Sequence, residues 1–231
     1  PQQMLLDPGY LEDRMKDISL KAATPSQKIK EGKVDVIESV ETTHFSIVDT
    51  EGNAVAITTT LNSYFGCKVM VKGAGFFLNN EMDDFSVKSG FPNQFGLVGS
   101  KANEITPEKR MVSSMTPTIV EKDGELFMVV GTPGGATIIT SVFQAILNVV
   151  DHQMSMQEAV EAKRFHHQWL PDRIVLEEDG LSASVQKKLV KLGHDFESRG
   201  QIGRVDAILV LPDKRLEGGA DIRGGDQAVG F

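Results

Sequence analysis

Three times along this chain, a short run of apolar and β-branched residues breaks at a turn and then resumes. Phe45-Ser-Ile-Val-Asp49 and Ala54-Val-Ala-Ile-Thr58 flank Asp49-Thr-Glu-Gly52-Asn53. Thr118-Ile-Val120 and Leu126-Phe-Met-Val-Val130 flank Asp123-Gly124, and Ala207-Ile-Leu-Val-Leu211 leads through a Pro-Asp turn to Leu216. Strand-length runs separated by turn residues are the signature of β-hairpins. Three of them predict antiparallel sheets with buried strands.

Helical patterns lie between the hairpins. Ile138, Ile139, Val142, Phe143, Ile146 and Val150 fall at helical spacing and predict an apolar stripe. Ser155 and Glu158 form a capping-box signature ahead of a helix containing Ala159. Val185, Leu189 and Leu192 mark another helix, with Gly193 where a C′ glycine belongs. Hairpins with helices among them give an α+β class built in layers.

Residues 1–41 read differently from residues 42–231. Asp7-Pro8 has the character of a helix N-cap and first position, and Leu11, Met15 and Ile18 continue at helical spacing. From Thr24 to Val40 the chain is polar and Lys-rich, an extended surface segment of the sort in which cleavage is tolerated. Ser89 to Thr106 is rich in Gly, Asn and Pro, and a loop of that length in a compact domain is often functional.

Composition excludes some functions. Over 231 residues, 24 Lys and Arg stand against 32 Asp and Glu, a net charge of −8. With no basic run, nucleic acid and anionic membrane surfaces are not expected partners. No apolar stretch reaches the roughly 18–20 residues of a membrane span. The single Cys67 excludes an internal disulfide.

Five constellations carry chemical content. Thr42-Thr43-His44-Phe45-Ser46 reads as the start of a mature subunit lying inside the chain. A Thr hydroxyl is a weak nucleophile until a base stands beside it. Cleavage before Thr42 would supply that base as its own α-amine, with a pKa of about 7.7–8.0. Thr58-Thr59-Thr60-Leu61-Asn62 could bring hydroxyl and amide groups to Thr42 if the two strands pair. Asn79-Asn80-Glu81-Met82-Asp83-Asp84-Phe85 is either a solvated acidic turn or a pocket for an ammonium group, where charge-assisted bonds are strong. The Ser113-Ser114 pair could serve backbone groups or hydrogen-bond a carboxylate. Gly131-Thr-Pro-Gly134-Gly135-Ala136 opens the apolar helix, and its amides suit an anion or oxyanion. Adjacent His166 and His167 in Arg164-Phe-His-His-Gln-Trp169-Leu-Pro171 point apart on a regular element, so a packed, hydrogen-bonded turn is expected there and not a zinc site.

In order and spacing, Thr42-Thr-His-Phe-Ser, Thr60-Leu-Asn62, Leu78-Asn-Asn-Glu-Met-Asp-Asp-Phe85, Ser113-Ser-Met-Thr-Pro-Thr118, Pro133-Gly-Gly135 and Arg164 to Pro171 resemble the small subunit of γ-glutamyltranspeptidases. Residues 1–41 resemble the tail of that family's large subunit. The resemblance implies an N-terminal nucleophile hydrolase, an αββα sandwich of two antiparallel sheets between helices. It implies self-cleavage at Glu41–Thr42, then transfer or hydrolysis of a γ-glutamyl group through an ester on Thr42.

By the same resemblance, Thr60 orients Thr42, and Asn62, Glu81 and Asp84 hold the donor's α-amino group. Ser113 and Ser114 hold its α-carboxylate, and the Gly134 and Gly135 amides form the oxyanion hole. Phe95 stands in the lid loop where many relatives carry a Tyr, and Ala136-Thr137 replaces their Ser-Arg. No cofactor and no metal are implied. The implied partners are the large subunit of the same precursor, which carries an Arg for the donor carboxylate, a glutathione-like donor, and water, an amino acid or a peptide as acceptor. The implied location is periplasmic, secreted or at the cell surface. A glutaryl or cephalosporin-type acylase, a poly-γ-glutamate depolymerase and an inactive uncleaved precursor are the alternatives. Retention of Asn62, Glu81 and Asp84 favours a donor with an α-amino group.

Overall fold

The computed structural model describes residues 7–16, 42–91, 93, 99–168, 173–191 and 193–230. The chain divides into two compact units, Pro1–Ser39 and Val40–Phe231. In the first, helix α1 (Pro8–Met15) begins as its sequence predicts: Asp7 is the N-cap, accepting from the Tyr10 amide at 2.8 Å, and Pro8 opens the helix. Leu11 and Met15 are exposed. Ile18, the 24–40 segment and Glu41 lie outside the described residues.

The second unit holds all three expected hairpins. Strands β1 (Thr42–Val48) and β2 (Ala54–Thr60) pair antiparallel, with Thr42 opposite Thr60 and His44 opposite Thr58. Strands β3 (Thr118–Lys122), β4 (Glu125–Gly131), β8 (Asp206–Val210) and β9 (Leu216–Gly219) form an antiparallel sheet in that order. The β1–β2 hairpin packs across β4 and β8. Helices α2 (Ile138–Val150) and α3 (Met156–Glu161) pack on the same sheet through a core of Met128, Val130, Val142, Val149, Met156, Val160, Val205 and Leu209. Full burial of such a side chain contributes about 1.5–3 kcal/mol, so this seam holds the layers together.

Two expectations need correction. The apolar stripe on α2 does not mark its buried face. Ile138, Ser141, Val142, Ala145 and Val149 are buried, while Ile139, Phe143 and Val150 are exposed. The helix is apolar nearly all round, so the stripe of largest residues does not choose the side. The sheets are also not all antiparallel. Strands β5 (Phe165–His166), β6 (Ile174–Glu177) and β7 (Phe196–Arg199) form a third sheet in which β6 and β7 are parallel, joined through helix α4 (Ala183–Lys191). Gly193 follows that helix with φ 97°, its amide bonded to the Val190 carbonyl. Leu192 lies outside the described residues.

Candidate active site

Side chains alternate across a strand. In β1 the odd-numbered positions 43, 45 and 47 are exposed, and the even ones from Thr42 to Val48 turn inward, toward the four-stranded sheet. Thr58 and Thr60 lie on the same inward face of β2. Directly opposed residues in an antiparallel pair hold their Cβ atoms roughly 4.5–5.5 Å apart. Thr60 is therefore the cross-strand neighbour of Thr42, as the second constellation required.

Beyond Thr60 the chain turns through Asn62, which takes φ 73°, a left-handed conformation that Asn tolerates better than most residues. The Asn62 amide donates to Thr60 Oγ1 at 2.9 Å, and its Nδ2 donates to the Asn80 carbonyl at 3.1 Å. Asn80 answers through its side chain, accepting from the Ser63 amide and donating to Ser63 Oγ, both at 3.0 Å. These bonds fasten the acidic turn to the end of β2. Glu81–Asp84 form one 3-10 turn there.

Of the three acidic side chains in that turn, Glu81 and Asp84 interact, and a hydrogen bond between their carboxyl groups requires one of them to keep its proton. Burial, then the charge of Asp84, then that hydrogen bond push the Glu81 carboxyl up to about 7. Its Oε1 is buried without a hydrogen-bond partner. Asp84 accepts from Ser114 Oγ at 2.7 Å, and its carbonyl accepts from Asn103 Nδ2. Ser114 therefore joins Asn62, Glu81 and Asp84 in one cluster. Ser113 is exposed and its hydroxyl donates to the nearby Met115 carbonyl. Phe95 lies outside the described residues.

The glycine turn leaves β4 at Gly131. Gly134 has φ 158° and Gly135 φ 51°, and the Thr137 amide and hydroxyl both return to the Gly134 carbonyl. Amides in the first turn of a helix have no carbonyl a turn earlier to donate to, so the Gly134 and Gly135 N–H groups suit an oxyanion. Ala136 and Thr137 continue the turn.

Sequence reasoning gave no role to three features. His44 is buried on the row that starts at Thr42, its imidazole between Thr58 Oγ1 (2.8 Å) and Ser46 Oγ (3.0 Å). Burial lowers its pKa to about 4, so the ring is neutral at ordinary pH. The alternation of β1 already places it on the same face as Thr42, two positions along the strand. Second, Arg164 is 2% exposed and pairs with Asp221 at 2.7 Å, while Arg223 bonds Glu177 at 2.5–2.6 Å and Asp221 at 3.0 Å. These four residues are scattered over sixty positions, and no local pattern reveals them. Third, the hairpin's outer row of Phe45, Ile47, Val55 and Ile57 is 40–50% exposed, an apolar sheet face of the kind that marks an interface. His166 was expected in a packed turn, but it lies on strand β5 opposite Val175, buried and bonded to Thr140 and Gln168. Trp169 to Pro171 lie outside the described residues.

The sequence model of the family described as Gamma-glutamyltranspeptidase matches residues 1–231. The glutathione hydrolase proenzyme of Escherichia coli K12 is 45% identical over 98% of this chain and 39% of its own length. That of Pseudomonas aeruginosa is 48% identical over 97% of this chain and 40% of its own. The chain thus spans about two fifths of these curated relatives. A crystal structure of a mutant Helicobacter pylori γ-glutamyltranspeptidase covers 79% of this chain and 100% of its own, at 50% identity and a TM-score of 0.76. Matched along its whole length by one family and overlaid on one of that family's solved structures, this chain belongs to the γ-glutamyltranspeptidase family and has its N-terminal nucleophile hydrolase fold.

Proposed function

We propose that this chain supplies the nucleophile and most of the donor site of a γ-glutamyl transferase and hydrolase, after cleavage at Glu41–Thr42. One observation carries the reading: Thr42 stands opposite Thr60 at the strand end to which the Asn62, Glu81 and Asp84 cluster is fastened. In maturation, the Thr42 hydroxyl attacks the Glu41 carbonyl carbon. The C–N bond gives way to an ester, and water hydrolyses that ester. Thr42 is left with a free α-amine.

In turnover, that amine takes the hydroxyl proton as Thr42 Oγ1 attacks the donor's γ-carbonyl. The Gly134 and Gly135 amides receive the oxyanion. The leaving amine accepts the proton, and water or an acceptor amine resolves the γ-glutamyl ester. The donor's ammonium meets Asn62, Glu81 and Asp84, and supplies the cation that the two carboxylates lack in each other's company. Its carboxylate meets Ser113 and Ser114. Ser114 then exchanges its bond to Asp84 for one to the donor.

The subunit division at residue 41/42 and pairing with the preceding part of the precursor belong to the same proposal. The exposed outer row of the hairpin is the face that the partner subunit would cover. A location in the periplasm, outside the cell or at its surface follows from family membership.

Intact mass of the full-length precursor tests the reading. Wild type yields two fragments split at Thr42 and turns over a γ-glutamyl anilide faster than a glutaryl anilide. Thr42→Ala stays in one piece, and its turnover falls at least about 10⁴-fold, as for loss of a covalent nucleophile. Normal processing in that variant refutes the assignment; a preference for the glutaryl compound makes the enzyme an acylase.

A further inference from the structure

Gly131, the last residue of β4, lies directly under the His44 imidazole. A methyl group built on Gly131 would fall inside that ring, against Cε1, Nδ1 and Nε2. Absence of a side chain at 131 is therefore a condition for the ring to lie where it does. The other ring contacts fix its rotation and tautomer. Ser46 Oγ donates to the Asp206 carbonyl at 3.3 Å, so it accepts from His44 Nε2–H, and Nδ1 accepts from the Thr58 hydroxyl. Asp206 is itself the β8 residue paired with Gly131. One neutral ring thus spans from the nucleophile hairpin to the β4–β8 pair, with every donor in the chain pointing the same way.

The two ends of this contact are short of the chemistry by only a few residues. Thr42 is two positions before His44 on the same face, and Gly134 and Gly135 are three and four positions after Gly131. The Thr132 hydroxyl between them accepts from the Arg204 amide at 2.7 Å, which ties the start of the glycine turn to the residues leading into β8. A change in ring position therefore moves the nucleophile strand relative to the oxyanion turn.

We propose that His44 is a positioning residue, whose imidazole seated on Gly131 sets the separation between the strand carrying Thr42 and the turn carrying the Gly134 and Gly135 amides. The inference rests on the functional reading above and adds a component that touches neither substrate nor reacting atoms. A spacer of this kind acts on kcat, because it governs alignment with the transition state and leaves the donor's contacts at Asn62, Glu81 and Asp84 alone.

The test is a double-mutant cycle in the full-length precursor, with kcat counted per Thr42 site that a covalent γ-glutamyl-directed label can titrate. Gly131→Ala is expected to lower kcat roughly 10- to 100-fold, the scale of an ångström-level misplacement, with KM for a γ-glutamyl anilide changed less than about threefold. His44→Ala lowers kcat similarly. In Gly131→Ala/His44→Ala the methyl group has room, so kcat is no lower than in His44→Ala alone. Where Gly131→Ala does not mature, the self-cleavage rate of the purified precursor replaces kcat, and the same cycle applies to it. Costs that simply multiply overturn the proposal. So does a Gly131→Ala protein with a lowered melting temperature and an unchanged kcat per labelled site, since the contact would then serve only the fold. Thr42→Ala in the same assay keeps the two claims apart: turnover without Thr42 sinks the functional reading, whereas wild-type kcat in the His44 variants sinks only the positioning role.

Discussion

Around Arg164, buried charges of opposite sign meet and the neighbouring backbone completes them; around Glu81, three acidic side chains share one turn and a buried Glu81 oxygen has no hydrogen-bond partner. In the first cluster, Asp221 accepts from Arg164, from Arg223 and from the Val205 amide, and Glu177 accepts from Arg223 and from the Arg164 and Ile202 amides. Burial by itself would raise both carboxyls. The arginines and amides outweigh it and hold both below their ordinary values. In the second cluster nothing outweighs burial and repulsion, and Glu81 rises to about 7. Both clusters combine burial with charge. The difference is whether the protein supplies the countercharge or leaves that to a ligand, which is how a structural network is told from a binding site.

The comparison breaks first at Asp221. Asp221→Ala leaves the buried Arg164 guanidinium without its partner, and removing one member of a buried pair costs about 3–5 kcal/mol. Chemical denaturation of the mature protein measures this. A loss below about 1 kcal/mol, the worth of a surface ion pair, would show that the network is less important than its geometry indicates. Acid should find the same weakness. A carboxyl with a depressed folded pKa contributes stability above its unfolded value, 3.8 for Asp and 4.5 for Glu, and that stability is lost as pH falls through the folded value.

Glu81 should respond with the opposite sign. Its folded pKa is raised from 4.5 to about 7, so its contribution is full below pH 4.5 and is lost as pH rises through 7. Glu81→Gln is therefore expected to melt at or above the wild-type temperature at pH 8, and no higher than wild type at pH 4. On the proposed function, the same variant also loses one charge-assisted bond to the donor ammonium, worth about 1.5–3 kcal/mol, or roughly 10- to 100-fold in KM. Melting curves at the two pH values, with KM for a γ-glutamyl anilide, check both. A variant that is less stable at pH 8 and has an unchanged KM would make this turn another structural cluster.

The two clusters also differ in how far the sequence exposes them. Asn62, Glu81 and Asp84 come from short segments that the β1–β2 register and the Asn80 side chain draw together, so local reading and family resemblance both reach them. Arg164, Glu177, Asp221 and Arg223 are each an ordinary charged residue in sequence, and only tertiary folding removes them from water. The β-hairpins were legible because alternation and turn residues are local signals. The parallel β6–β7 pair was not, because a crossover through α4 leaves no turn to announce it. On α2, apolar residues on nearly every side made the period visible and the buried face ambiguous. His44 lay in plain view within a quoted motif, but its role depends on a glycine 87 positions away.

A third polar pair sets the scale for both clusters, because solvent reaches it. At the start of α3, the Ser155 amide and hydroxyl both donate to Glu158 Oε2, at 2.9 and 2.8 Å, and the Glu158 amide returns to Ser155 Oγ at 3.3 Å. The two bonds to Glu158 Oε2 match the longer ones around Arg164, yet water can replace each of them. Ser155→Ala is therefore expected to cost only about 1 kcal/mol, or about 2–4 °C in melting temperature for a protein of this size. It should leave kcat and KM unchanged. If its cost approached that of Asp221→Ala, burial would not be what separates these clusters, and hydrogen-bond geometry alone would have to account for the strength of the Arg164 network.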